Sequence, residues 1–137
     1  MVKITQLACL SDLRSTTLRE HAERGHCGRS SEFLASVNRE EAGLLSYENR
    51  SDEESGFIYE IFVLPSFRRR GIGESLLLYG ESYALQLGCT SVRLKPYALE
   101  QQPDQTQLIA WYTKTGYRQA TDDPEQMEKS LRTQGAV

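Results

Sequence analysis

Gly56-Phe57-Ile58-Tyr59-Glu60-Ile61-Phe62-Val63-Leu64-Pro65-Ser66-Phe67-Arg68-Arg69-Arg70-Gly71-Ile72-Gly73 is the stretch whose reading decides the fold. Its first half is an apolar strand, and Pro65, which cannot continue a hydrogen-bonded ladder, ends it. Gly71 and Gly73, one residue apart, let the backbone turn tightly. Directly afterwards Ile72, Leu76, Tyr79, Tyr83 and Leu87 recur at steps of three and four, the spacing of one helix face. A glycine-rich turn therefore opens a helix. The N–H groups of a first helical turn lack intrahelical partners and lie at the positive end of the dipole, so such a turn suits a phosphate. Arg68, Arg69 and Arg70 add charge of the same sign, and the expected ligand is a polyanion.

Glu60 is the one charged residue in the strand. Strict alternation would put Phe57, Tyr59, Ile61 and Val63 on one face and Ile58, Phe62 and Leu64 on the other, which implies a central strand covered on both sides. Glu60 would then point into a covered face beside the turn. A buried carboxylate there is a candidate base; a solvated or ion-paired carboxylate is the alternative.

The flanking sequence extends this pattern. Gly88 closes the helix and Thr90–Lys95 reads as a second strand stopped by Pro96, so strand, helix and strand imply a parallel pair with a right-handed crossover. Ligands of such units gather at the carboxyl ends of the strands. Upstream, Val2–Ala8 reads as a strand. Ser11 or Asp12 can cap a helix from Leu13 to Arg24, closed by Gly25. Its apolar stripe of Leu13, Thr17, Leu18 and His21 is thin, which predicts a partly exposed helix with His21 packing at the stripe's edge. Phe33, Ala35 and Val37 alternate before a polar turn at Asn38–Glu41 and the run Gly43–Tyr47, an antiparallel hairpin. Asn49–Ser55 is polar and acidic and reads as a loop. Downstream, Tyr97–Asp104 is a loop, Gln107–Thr115 a helix ended by Gly116, Tyr117–Ala120 a strand, Gln126–Leu131 a last strand and Arg132–Val137 a tail.

At 137 residues the chain is expected to be one domain, 1–137, without need of disulfides or metal. Its 39% hydrophobic and 26% charged residues are ordinary for a water-soluble globular protein, and no apolar run approaches the roughly 18 residues of a membrane span. The net charge of -3 opposes a general nucleic-acid binder. Three cysteines with no Cys-x-x-Cys pair suit a reducing compartment, and Met1-Val2-Lys3 does not open a signal peptide, so a cytoplasmic protein is expected. His21, His26 and Cys27 lie close together without a recognised zinc-ligand spacing, and no metal is expected.

With these pieces placed, the sequence resembles the GNAT superfamily of acetyl-CoA-dependent N-acetyltransferases. Arg68-x-x-Gly71-x-Gly73, preceded by Val63-Leu64-Pro65, is similar to the family's pyrophosphate-binding loop, and Ala110-Trp111-Tyr112-Thr113-Lys114-Thr115-Gly116-Tyr117 is similar to its second motif. The resemblance covers nearly the whole chain. It implies an α/β (α+β) fold with a mixed, mainly antiparallel central sheet flanked by helices and a strand-helix-strand core for coenzyme A. It also implies acetyl transfer from acetyl-CoA to a primary amine, by direct attack and a tetrahedral intermediate. The pyrophosphate would lie at Arg68, Arg69, Arg70, Gly71, Ile72 and Gly73. Backbone groups of Phe62 and Val63 would hold the pantetheine arm and thioester oxygen, and Tyr112 would meet the departing thiolate. Glu60, near where family members' strands splay apart, would act as base, directly or through water.

Two departures are visible. Pro96-Tyr97-Ala98 and a longer loop replace an Asn that members often carry after the fifth strand, and the amino-terminal half has room for one clear helix where many have two. An abbreviated acceptor side follows, with room for a homodimer that completes it. A silent coenzyme A-binding module is the alternative function, and a nucleic-acid-binding module using the arginines a more distant one.

Overall fold

The computed structural model describes residues 2–50, 53–96 and 104–131. The loop expected from Tyr97, including Pro103, and the tail from Arg132 lie outside them. In chain order the elements are β1 (Val2–Gln6), α1 (Thr16–Gly25), β2 (Ser30–Val37), β3 (Glu40–Arg50), β4 (Ser55–Val63), α2 (Ile72–Gln86), β5 (Ser91–Leu94), α3 (Gln105–Lys114), β6 (Arg118–Gln119) and β7 (Met127–Ser130). They form a seven-stranded sheet in the order β1-β2-β3-β4-β5-β7-β6. Every neighbouring pair is antiparallel except β4 and β5, which α2 connects. The mixed, mainly antiparallel sheet flanked by helices is the architecture expected from the sequence.

Residues on the two faces of the sheet belong to two apolar clusters. One packs Leu45, Tyr47, Ile58 and Val92 beneath Ile72, Leu76, Leu77 and Ala84 of α2 and Tyr112 of α3. The other packs Leu44 and Phe62 against Leu13, Leu18 and Ala22 of the α1 region. The larger cluster follows from the apolar period of α2 and the apolar runs of β3 to β5. The smaller one uses the narrow inner face of α1: Leu18, His21 and Ala22 are buried while Thr16, Thr17, Glu20, Glu23 and Arg24 are exposed, the partly exposed helix expected from the sequence, with Ala22 on the inner face where Thr17 was expected.

The start of α1 is a correction. Instead of capping a helix at Leu13, Asp12 ends a short 3-10 turn, Leu10–Asp12, and Leu13 is extended. The carboxylate of Glu41 on β3 accepts hydrogen bonds from the N–H groups of Arg14 (2.9 Å) and Ser15 (2.7 Å). Ser15 caps the helix by accepting from Leu18 N–H at 3.2 Å. A charged acceptor from another strand thus overrides the nearer local caps. Glu41 is available because the hairpin turn is tighter than expected: Asn38 and Arg39, at φ 51° and 69°, make the whole turn, and Glu40 and Glu41 already belong to β3. β3 also runs on to Arg50, through the start of the expected loop.

A β-bulge in β4 decides the site. Ser46 pairs with Glu60 but Tyr47 pairs with Ile58, so Tyr59 is an extra residue without a partner on β3. Alternation resets across it. Ile58 joins Ile61 and Val63 in the α2-side cluster, while Phe62 and Leu64 belong to the α1-side cluster. The faces read from strict alternation are therefore wrong at Ile58, because an inserted residue exchanges the two faces of a period-two strand.

β4 tolerates little added volume near the bulge. A Cβ on Gly56 would sit 2.2 Å from the Tyr47 hydroxyl and 2.8 Å from its ring, and Tyr47 is fully buried. Gly56→Ala should destabilise the protein by about 1–3 kcal/mol, the usual cost of overpacking, measured by urea unfolding. An unchanged midpoint would mean that Tyr47 can withdraw freely.

Candidate active site

The last pair between β4 and β5 is Ile58 with Leu94, so the two parallel strands are joined over only four pairs. Beyond them β4 runs on through Val63, and among the described residues no strand continues beside that edge. The space so opened is a cleft of about 1170 Å³, walled by β4, by the turn into α2 and by the inner face of α3. Glu60, Phe62, Val63, Arg68, Arg69, Gly71, Ile72, Gly73 and Tyr112 all line it. Residues from three separate stretches of sequence are thus gathered at the carboxyl end of β4, where strand-helix-strand topology predicts a ligand.

The turn is built from both halves of its sequence. Pro65–Phe67 makes one 3-10 turn, then Arg69 (φ 66°) and Gly71 (φ 77°) adopt left-handed conformations, with Gly71 the N-cap of α2. Glycine at position 71 takes this backbone angle without the strain that a side chain adds, as at Arg69. Gly73 needs none of that freedom: a Cβ there would meet Trp111 at 3.7 Å and Val63 at 3.8 Å, ordinary contact distances, and the missing side chain widens the floor of the cleft. Gly71–Glu74, the cap and first turn of α2, all line the cleft.

The three arginines do not form one cluster. Arg68 turns back so that its Nε donates to the Val63 carbonyl at 2.9 Å, tying the turn to the end of β4. Arg69 is exposed on the cleft, whereas Arg70 lies over the Phe67 ring at 5.3 Å and is not part of the lining. Ile72 is buried in the core, and the Phe62 ring is stacked under His21, 3.7 Å between centroids. Arg68 also draws on the Val63 carbonyl, one of the backbone groups expected to face a ligand.

The Glu60 side chain is 10% exposed and its Oε2 lies 2.6 Å from Nδ1 of His21, itself 8% exposed. Glu60 is thus covered, as the first of its two sequence alternatives has it, and is hydrogen-bonded to a side chain from another element. Arg24 Nη1 approaches the same imidazole nitrogen at 3.3 Å. Tyr112, 6% exposed, stands edge-on to Trp111 and Tyr117 and also lines the cleft. Burial pushes the Tyr112 hydroxyl well above the ordinary tyrosine pKa, and the charge of Glu60 adds to the shift. At neutral pH Tyr112 is a proton-bearing donor beside a carboxylate.

His21 is the residue that sequence reasoning placed elsewhere, as a packer at a stripe's edge. Its local signal is only an i, i+3 spacing to Arg24, and Glu60 is 39 residues away. A second buried polar group also lies outside the sequence motifs. Glu81 of α2 accepts from the Tyr117 hydroxyl at 2.9 Å and from Lys129 Nζ at 3.1 Å, fastening α2 to the strand that ends beside α3. Its signal was a carboxylate four residues after the buried Leu77 on the core side of an apolar helix.

Residues 4–117 match the acetyltransferase (GNAT) family. No curated protein matches the chain at a significant level. Among solved structures, the chain is similar to the ribosomal-protein-S18-alanine N-acetyltransferase from Escherichia coli, at 17% identity and TM-score 0.72 over 100% of this chain and 99% of that one. It is similar to the PaiA N-acetyltransferase from Thermoplasma acidophilum in complex with coenzyme A, at 15% identity and TM-score 0.70 over 96% and 99% of the chains. A GNAT family acetyltransferase from Elizabethkingia anophelis with acetyl-CoA bound is similar at 19% identity and TM-score 0.68, over 95% and 98%. At these identities the likeness is one of fold.

The raised pKa of Tyr112 has a consequence for stability. Unfolded tyrosines ionise near about pH 10, while the buried one keeps its proton. The unfolded state therefore binds fewer protons above that pH, so the stabilisation is complete below it and is lost as pH rises toward the folded value. Tyr112→Phe should make the alkaline loss of stability shallower by up to about 1.4 kcal/mol per pH unit. Urea unfolding at a series of alkaline pH values checks this, and parallel curves for the two proteins would show that the hydroxyl is not protected.

Proposed function

The chain belongs to the acetyltransferase (GNAT) family, and from that premise we propose that it transfers an acetyl group from acetyl-CoA to a primary amine by direct attack, with Glu60 as base and Tyr112 as hydrogen-bond donor. One observation carries this reading: the parting of β4 from β5 after Ile58 and Leu94 puts Glu60 and Tyr112 in the same cleft as the Gly71–Gly73 turn. Acetyl-CoA would supply an acyl group already activated as a thioester.

The residues present fit that molecule. Nothing lies within 4 Å of where a Gly71 Cβ would be, which leaves room for a diphosphate at the start of α2, with Arg69 beside it. Arg68 would act mainly by fixing the turn through Val63, and Arg70 at most by long-range charge. The β5-facing edge of β4 around Phe62 and Val63 offers backbone polar groups to an extended arm, as an added strand would use them. Trp111 and the bare backbone of Gly73 form an apolar wall beside it.

An alkylamine with a pKa of about 10.4 has only about one molecule in a few thousand unprotonated at neutral pH. Glu60 would take the proton, directly or through water. Tyr112 would donate a hydrogen bond to sulfur as charge develops there. Its role is limited by magnitudes: proton transfer from an ordinary tyrosine to a thiolate is already uphill by about 2 kcal/mol, and burial of Tyr112 makes it harder. A cytoplasmic, single-domain enzyme remains part of this reading, and the free thiols of Cys9, Cys27 and Cys89 support it.

The test is free-thiol release from acetyl-CoA with a panel of acceptors: a lysine amide, an alanyl peptide and an alkyl diamine. Amine-dependent release is expected. Binding of acetyl-CoA with no turnover of any amine would instead mark a silent coenzyme A-binding module. Glu60→Gln should lower kcat by about 10²-fold or more, the range for a lost acid–base group, with the KM for acetyl-CoA little changed; full turnover would remove Glu60 from the chemistry. Tyr112→Phe should cost about 10- to 150-fold, matching a charged hydrogen bond of about 1.5–3 kcal/mol, when measured where chemistry limits the rate. Wild-type turnover would assign Tyr112 to packing alone.

A further inference from the structure

We propose that His21 is the positioning residue for Glu60: its Nδ1–H donates to Glu60 Oε2, holds that carboxylate toward the cleft, and keeps the buried charge paired while the pair gains and loses one proton. This rests on Glu60 being the base, and it extends that reading to a residue on a different element.

The geometry constrains the imidazole in two independent ways. Its plane is set by stacking on Phe62, at 3.7 Å between centroids and 17° between planes. Its edge is set by the 2.6 Å contact to Glu60. Two lone pairs cannot face each other at that distance, so a proton lies between nitrogen and oxygen, and a carboxylate acceptor calls for Nδ1–H. Phe62 and Glu60 belong to the same strand, two residues apart on the far side of the bulge, so plane and edge are referred to one rigid piece of backbone.

α1 is also held in a way that serves this contact. Glu41 on β3 accepts from Arg14 and Ser15 just before the helix. Just past its end, His26 Nδ1 pairs with the buried Glu32 of β2 at 3.0 Å. Both anchors are carboxylates from the sheet, one at each end of a ten-residue helix, and His21 lies between them. An apolar side chain would fill the same volume, but it would leave Glu60 without its imidazole partner in a place where both side chains are about 90% covered.

Charged and titratable groups that face the pair include Arg24 on α1, 3.3 Å from Nδ1, and Tyr112 on α3, which feels the charge of Glu60. With a neutral imidazole the pair carries one negative charge. When the acceptor's N–H bond breaks, an O–H bond forms on Glu60, the nitrogen keeps the electron pair, and the pair becomes neutral with the His21 contact still holding its proton. Release of the new O–H proton from Glu60 to water restores the starting state.

Two measurements test the proposal. In the ligand-free protein, long-range proton–nitrogen NMR of the imidazoles reads which ring nitrogen carries the proton, and His26→Gln assigns the spectrum because the chain has 2 histidines. A protonated Nδ1 is expected at neutral pH, changing when Glu60 becomes Gln; a bare Nδ1 with the proton on Nε2 overturns the proposal. In turnover, using the fastest amine of the panel, His21→Phe keeps a ring on Phe62 but removes the donor. It should lower kcat by about 10- to 100-fold with the KM for acetyl-CoA unchanged. His21→Asn, which can place an amide N–H near the Nδ1 position, should recover most of the loss and serves where the Phe variant does not fold. Adding His21→Phe to Glu60→Gln should cost less than about twofold more. An undiminished kcat in His21→Phe, or an equal loss in both backgrounds, overturns it. Full turnover in Glu60→Gln alone would instead sink the base assignment, while the NMR result still reads whether His21 orients Glu60.

Discussion

The structure depends on how β4 divides its hydrogen bonding. On one side it is paired with β3 from Ser55 to Val63, and on the other with β5 for four residues only. A strand that leaves its parallel neighbour exposes backbone donors and acceptors that must be satisfied elsewhere. Here part of that need is met by Arg68, which reaches back to the Val63 carbonyl, and the remaining edge faces a cleft. The cleft exists because the ladder stops while the strand continues.

The bulge at Tyr59 makes this edge chemically useful. Without it, strict alternation would put Ile58, Glu60 and Phe62 on one face, and the α2-side core would lose either Ile58 or the alternation of Ile61 and Val63. With one residue inserted, Ile58, Ile61 and Val63 all reach that core, while Glu60 and Phe62 reach α1 and His21. Tyr59, the inserted residue, is 46% exposed and lines the cleft. A single unpaired residue thus lets one strand serve a hydrophobic core and a polar site together.

Among the described residues, the interior carboxylates meet partners from other elements. Glu60 meets His21, Glu81 meets Tyr117 and Lys129, and Glu41 meets the N–H groups before α1. Leaving a buried carboxylate unpaired costs several kcal/mol, whereas a well-paired one contributes little net stability. These groups therefore act chiefly by allowing one arrangement of helix on sheet. Glu81 fixes α2 and Lys129 behind the Tyr117 ring, against which Tyr112 packs; Glu41 and Glu32 fix α1 over β4. The cleft is held from both faces of the sheet by carboxylates outside it.

The sequence by itself determined the strand, turn and helix around Gly71, the parallel partner that follows, the antiparallel hairpin before it and the family. Those features are written in signals only a few residues long: Pro65 stops a ladder, Gly71 takes a left-handed angle, and apolar residues at steps of three and four bury one side of α2. Glu60 and Tyr112 were also legible, one as the odd carboxylate in an apolar strand and the other through a motif. Only the tertiary structure decided which way Glu60 points, that His21 meets it, that Arg68 turns inward while Arg70 turns away, and that α1 starts at Glu41's carboxylate rather than at Asp12. The physical reason is the same in each case. A bulge is a property of register between two strands, and an ion pair spanning 39 residues is a property of how helix and sheet are stacked, so neither leaves a local periodicity to read.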